Sequence, residues 1–168
     1  GSDSLHFTDN STKMKKIFTE KDLKLLEEKP CVYYFHKLSF DLSKPYIEKI
    51  KKENTIVSTA EKNNVKYITA YENKKYPFYS TLYHPEKPLF LKKDKKMPKG
   101  KATEIVSKKL ISFFVNECKK SKNKWIGGNN DADFFIKNYT LYEKKNKTFK
   151  KGPKVPTYLF GEKDKYYV

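Results

Sequence analysis

Tyr76-Pro77-Phe78-Tyr79-Ser80-Thr81-Leu82-Tyr83-His84-Pro85-Glu86-Lys87 is an aromatic and β-branched run that ends in an imidazole, a proline and a carboxylate. The run from Tyr76 to Leu82 reads as a β-strand. Pro85 has no backbone N–H and biases His84 toward extended dihedrals, so the strand is expected to stop with His84 at its carboxyl end. In open α/β sheets that end is where ligands bind. Side chains in an extended segment repeat with period two, which lets His84 and Glu86 face the same way. A carboxylate that accepts one ring N–H fixes the tautomer and leaves the other nitrogen for proton transfer. His84 and Glu86 are therefore candidate acid/base and orienting residues, two parts of a nucleophile–base–orienter triad.

Working outward, an α/β layout is expected. Ser4 to Thr8 reads as a short strand and Asp9 to Lys16 as a polar loop. Thr19 and Asp22 resemble a capping box that opens a helix carrying Leu23 and Leu26 on one face and stopping before Pro30. Val32 to Phe35 reads as a strand whose end presents His36. Ser43 is expected to cap a helix with Pro45 in its first turn and Ile47 and Ile50 inward. Thr55 to Thr59 and Val65 to Tyr71 read as strands joined around Asn63-Asn64, a hairpin turn.

Beyond Glu86 a basic loop runs to Gly100, interrupted by Pro88 and Pro98, long enough to be a lid or merely a mobile segment. Ala102, Val106, Leu110, Phe113 and Phe114 recur at helical spacing and predict the strongest helix of the chain, lying across the sheet. Lys119 to Lys124 ends it in charge; Trp125-Ile126 is expected to pack back and Gly127-Gly128-Asn129-Asn130 to turn. Phe134 to Tyr142 carries aromatics for packing, and Tyr158-Leu159-Phe160 reads as a terminal strand. Asp131 and Asp133 lack a further ligand cluster, so no metal is assigned to them.

Several combinations of these segments resemble a known family. Tyr76-Pro77-Phe78-Tyr79 leading into His84-Pro85-Glu86-Lys87 is similar to the strand and active-site turn of the class I glutamine amidotransferase-like superfamily. Phe35-His36-Lys37-Leu38-Ser39, then Glu72 ahead of Tyr76-Pro77, and Phe113-Phe114-Val115-Asn116-Glu117 on the later helix resemble one branch of it, γ-glutamyl hydrolase. The resemblance implies a mixed, mainly parallel central sheet with flanking helices. It also implies cysteine-type hydrolysis of folylpoly-γ-glutamates, an omega-peptidase activity that requires no metal or cofactor. It gives His84 the acid/base role, Glu86 the role of its partner and His36 a place in the substrate pocket. From the residues alone, His36 reads equally well as a strand-end histidine bonded to a loop.

The family's nucleophilic cysteine sits in a Gly-x-Cys-x-Gly-like elbow between strand and helix, and this sequence has no such motif. Cys31 lies at the entry of a strand and Cys118 near the end of a helix, neither at a helix N-terminus that would favour a thiolate, so both read as structural thiols. Residues 1–2 read as a vector scar and residues 3–168 as the carboxyl-terminal part of one γ-glutamyl hydrolase-like domain, with the nucleophile half missing. The isolated chain is then expected to be inactive, to pair with that half, and to be prone to homodimer formation through uncovered edges. A secreted, lysosomal or vacuolar location follows from the resemblance alone.

The formal charge of +17 raises a polyanion-binding alternative. All 37 basic residues are Lys, however, and they are dispersed in pairs; Lys lacks the planar fork used for base and phosphate recognition. No nucleic-acid partner is expected, and no apolar run is long enough to span a membrane. The same fold serving as a glutaminase domain is the other alternative.

Overall fold

In the computed structural model, which describes residues 1–9, 11–91, 94–123, 135–138, 141–144 and 155–158, the chain divides into two units, 1–121 and 122–168. The first is organised by a long hairpin. Its strands are β5 (Asn54–Lys62) and β6 (Val65–Asn73), joined by Asn63 and Asn64 at φ +52° and +62°. A two-residue turn with both central residues left-handed matches the twist of its strands, and Asn tolerates that conformation better than most residues.

Four further short strands precede the hairpin: β1 (Ser2–Asp3), β2 (His6–Phe7), β3 (Val32–Tyr33) and β4 (Phe40–Asp41). β7 (Tyr79–Thr81) follows it. β2 lines up on β5, while β4 and β7 share the free edge of β6; Phe40 lies opposite Ile68, and Ala70 opposite Thr81. β1 and β3 form a separate pair, with Asp3 opposite Val32. Every one of these pairings is antiparallel, which corrects the expectation of a mainly parallel sheet. The physical reason is connection length. Parallel neighbours need a crossover of a dozen or more residues, whereas Asn63-Asn64 and the short turn between β6 and β7 simply reverse the chain.

Helices cover the sheet. α1 (Lys13–Lys16) occupies what was expected to be loop, capped by the Thr12 side chain and by Glu72, whose carboxylate accepts the N–H groups of Lys13 and Met14 at 3.0 Å each. α2 (Glu20–Glu28) starts at Thr19 with a complete capping box to Asp22 and buries Leu26. α3 (Tyr46–Glu53) buries Ile47 and lies against β5, but Pro45 rather than Ser43 occupies its N-cap. Ser43 instead donates to Asp41 Oδ1, because an Asx-type turn competes for its hydroxyl.

α4 (Lys87–Phe90) takes the start of the expected basic loop, and Met97 further along is buried. Gly100, at φ +97°, permits the sharp entry into α5 (Lys101–Lys119). Ala102, Val106 and Leu110 of α5 join Leu5, Leu26, Val32, Val57 and Tyr83 in one core. Phe113 packs edge-on against Tyr79 at 4.8 Å, whereas Phe114, expected inward, is 64% exposed because Phe113 already fills that position. Lys109 of α5 reaches Asp22 Oδ2 at 2.8 Å and the Ile17 carbonyl at 2.8 Å, which clasps α5 to the start of α2.

The second unit has a 3₁₀ turn at Ile136–Asn138 and an antiparallel pair, β8 (Leu141–Lys144) with β9 (Val155–Tyr158). The expected terminal strand is thus represented by Tyr158. Trp125-Ile126, the turn at 127–130, Asp131, Asp133, Leu159 and Phe160 lie outside the described residues. Among the described residues no helix is long and apolar enough to cross a membrane.

Candidate active site

β7 is shorter than the run from Tyr76 to Leu82 promised, because Asn73 ends the preceding strand with a turn: its Oδ1 accepts the N–H groups of Lys75 and Tyr76 at 3.0 and 2.8 Å. Beyond Thr81 the chain leaves the ladder but stays pinned. Leu82 N–H bonds the Thr69 carbonyl at 2.8 Å, Tyr83 is buried, and His84 N–H bonds the Tyr33 carbonyl at 2.9 Å. The histidine backbone is thereby fixed to the end of β3.

His84 Nδ1 and Glu86 Oε1 are 3.0 Å apart, although the segment is not extended as their spacing assumed: Glu86 is the αR N-cap of α4. The other ring nitrogen is not open as the spacing alone suggests. Lys87 Nζ lies 3.3 Å from Nε2. An ammonium can only donate, so Nε2 accepts, the ring proton resides on Nδ1, and Nδ1–H donates to Glu86. One neutral tautomer satisfies both contacts. The ring is partly open to solvent, with 36% of the His84 side chain and 50% of the Glu86 side chain exposed.

Lys87 is held from its other side by aromatic faces. Its ammonium sits 4.8 Å from the Phe35 ring centroid and 5.9 Å from that of Tyr33. Those two rings are nearly parallel, 17° apart, with centroids 6.4 Å apart, and Tyr33 also approaches the His84 ring at 6.5 Å. Phe35 is 73% exposed. Lys87 is the site residue that sequence reasoning missed; the signal available was its place at the first position after Glu86, one turn on from His84.

His36 belongs to a different neighbourhood. It stands edge-on to Tyr34 at 5.3 Å and lines a cleft with Asp3, Tyr34, Ser39, Lys62 and Tyr67. Among the described residues no direct contact joins it to His84. Tyr33 and Phe35 approach Lys87, while Tyr34 and His36 line the cleft just described, so alternate residues from Tyr33 to His36 face two different neighbourhoods. A second, apolar cavity of about 230 Å³ adjoins the histidine turn at Pro85 and is walled by Met14, Tyr79, Leu110, Phe113 and Phe114.

Neither thiol joins this constellation. Cys31 is 1% exposed and its S–H donates toward the Leu26 carbonyl at 3.6 Å; burial pushes the thiol up to about 12. Cys118 is free and exposed on the last turn of α5. Among the described residues the His84 ring meets Tyr33, Glu86 and Lys87, not sulfur.

In sequence, the chain is similar to hydrolases that act on γ-glutamyl bonds. It is 29% identical over 109 residues to γ-glutamyl hydrolase B of Dictyostelium discoideum, a match covering 64% of this chain and 30% of that protein. It is 29% identical over 126 residues to γ-glutamyl hydrolase of Homo sapiens, covering 71% of this chain and 39% of the relative. The resemblance to γ-glutamyl hydrolase suggested by the motifs is thus borne out, and the chain spans between three tenths and two fifths of the length of these curated relatives. A stretch that covers 64% of a 168-residue chain cannot avoid its middle, so both matches run across His84 and Glu86. No protein-family model matches the chain.

Proposed function

We propose that this chain supplies the histidine–carboxylate half of a cysteine-type γ-glutamyl hydrolase, an enzyme of the glutamine amidotransferase-like fold acting on folylpoly-γ-glutamates. The observation that carries the reading is the His84–Glu86 contact of 3.0 Å on the turn crossed by both γ-glutamyl hydrolase matches. Glu86 holds the ring in the tautomer whose Nε2 lone pair accepts a proton, which is what a general base requires.

The mechanism follows from where charge develops. A cysteine thiolate, supplied from outside residues 1–168, attacks the γ-carbonyl, and backbone N–H groups beside it hold the oxyanion. His84 takes the thiol proton at Nε2 and delivers it to the departing amine. It then draws a proton from the water that opens the thioester. Throughout, Glu86 balances the imidazolium charge. Cys31 is unsuited to the nucleophile's role because its burial disfavours the thiolate. His36 lines a separate cleft and is assigned to substrate contact remote from the reacting bond.

The test is hydrolysis of a γ-glutamyl peptide by the chain joined to a nucleophile-bearing half. His84→Asn is expected to lower kcat/KM by about 10³-fold or more while sparing the fold, and Glu86→Gln by less, since it removes orientation and charge support but leaves the base. Unchanged kcat/KM for His84→Asn refutes the assignment.

A further inference from the structure

Among the described residues, the one direct contact on Nε2 of His84 is the ammonium of Lys87, and that ammonium has no carboxylate of its own. Glu86 Oε1 is engaged by Nδ1, and among the described residues no Asp or Glu forms an ion pair with Lys87. Its counterparts are two aromatic faces and a neutral ring nitrogen. Cation–π contacts at a partly exposed site are each worth only about 0.5–1 kcal/mol, less than a charge-assisted bond to a carboxylate. The ammonium is therefore held in place firmly enough to be found there, yet loosely enough to move to a better acceptor.

We propose that Lys87 is a carboxylate-responsive cap on His84. In the free protein it covers Nε2; when substrate arrives, an α-carboxylate of the γ-glutamyl unit draws the ammonium away and leaves the lone pair open for the thiol proton. No proton changes hands in this step: one hydrogen bond, Nζ–H to Nε2, is exchanged for another, Nζ–H to carboxylate oxygen. Tyr33 and Phe35 are positioning residues. Their rings keep the ammonium within reach of both partners and stop it from swinging into bulk water. This deepens the γ-glutamyl hydrolase reading and rests on it for the identity of the carboxylate.

The arrangement also disfavours idle chemistry. A γ-linked acyl group without the α-carboxylate leaves Nε2 covered, so the base is delivered together with the group that identifies the substrate. Selection then occurs at the acid/base residue itself rather than only in a remote pocket.

The experiment uses two probes that differ only in the α-carboxylate, γ-glutamyl anilide and 4-aminobutanoyl anilide. Imidazole ¹⁵N spectra of the chain resolve three histidines, His6, His36 and His84. The γ-glutamyl probe is expected to shift the His84 Nε2 resonance saturably and leave His6 in place, whereas the 4-aminobutanoyl probe is expected to bind about tenfold to a hundredfold more weakly. Lys87→Gln should remove the difference between probes, and Phe35→Leu should reduce it while keeping an apolar side chain there. Equal responses to both probes, an undiminished preference in Lys87→Gln, or no His84 response at millimolar γ-glutamyl probe each overturns the proposal. A carboxylate-dependent His84 shift together with failure of the turnover test given above sinks the hydrolase reading and leaves the cap standing.

Discussion

Asp22→Asn is expected to destabilise the chain by about 2 kcal/mol near neutral pH, and the structure shows where that figure comes from. Oδ2 of Asp22 accepts three donors: Thr19 N–H at 2.9 Å, Thr19 O–H at 2.8 Å and Lys109 Nζ at 2.8 Å. Asn keeps an acceptor for the cap but loses the charge that Lys109 meets. A hydrogen bond to a charged group contributes about 1.5–3 kcal/mol, and the 33% exposure of the Lys109 side chain favours the lower half of that range. For a chain of this length, about 2 kcal/mol corresponds to a fall in Tm of roughly 4–8 °C. The Lys109 ammonium, with Thr19, holds the Asp22 carboxyl at about 2, below its ordinary 3.8. A depressed folded-state pKa contributes stability that is complete above the ordinary value and disappears as pH falls toward the folded one. The deficit of the variant should therefore be full near neutral pH and shrink as pH drops from 3.8 toward about 2. Urea titrations of both proteins across that window measure it. A deficit under about 0.5 kcal/mol at neutral pH, or one that persists undiminished at the acid end, refutes the clasp.

Two further outcomes are expected. In the folded chain alone, exposed Cys118 should react with a thiol reagent while Cys31, buried and raised to about 12, reacts only after unfolding, and no γ-glutamyl turnover should be seen; hydrolysis abolished by Cys118→Ala would overturn the view that the nucleophile lies elsewhere. Asn64→Val should cost about 1–2 kcal/mol because a β-branched residue resists φ of +62°, whereas Asn64→Gly should be close to neutral; equal melting of the two variants would show that the turn does not set the register.

Local chemistry made parts of the fold readable. Thr19 and Asp22 announce a helix start because their reciprocal bonds lie within one turn, and Asn63-Asn64 announces a hairpin because few other pairs accept two left-handed residues in succession. Strand direction was not readable in this way. The strand run ending at His84 is equally compatible with parallel and antiparallel neighbours, and only the brevity of the links between β5, β6 and β7 decides it. The His84–Glu86 contact is present, but not through the extended segment that period-two spacing assumes, since β7 ends at Thr81 and Glu86 is the αR N-cap of α4; Lys87 was not readable at all, because its position depends on that one-turn helix and on aromatic rings from the β3 region, far away in sequence. Ser43 and Phe114 were misplaced for a similar reason: each had a local alternative, Asp41 for one and Phe113 for the other, that the pattern did not rank.

The single backbone bond from His84 N–H to the Tyr33 carbonyl has a kinetic meaning. The β5–β6 hairpin closes over two residues and can zip locally, whereas the site exists only once segments distant in sequence have met. Their junction has one main-chain bond, the buried edge-on contact of Tyr34 with Tyr83 at 6.1 Å and a seat whose outer ring, Phe35, is exposed, against the full ladder of the hairpin, so it is the cheaper of the two structures to open. Amide exchange should then fall into two tiers, with the hairpin amides protected to the level of global unfolding and the His84 amide released by a smaller opening. Mild denaturant would dismantle the proposed acid/base site while the sheet still stands, and a secondary-structure signal would report an intact molecule after that site had gone.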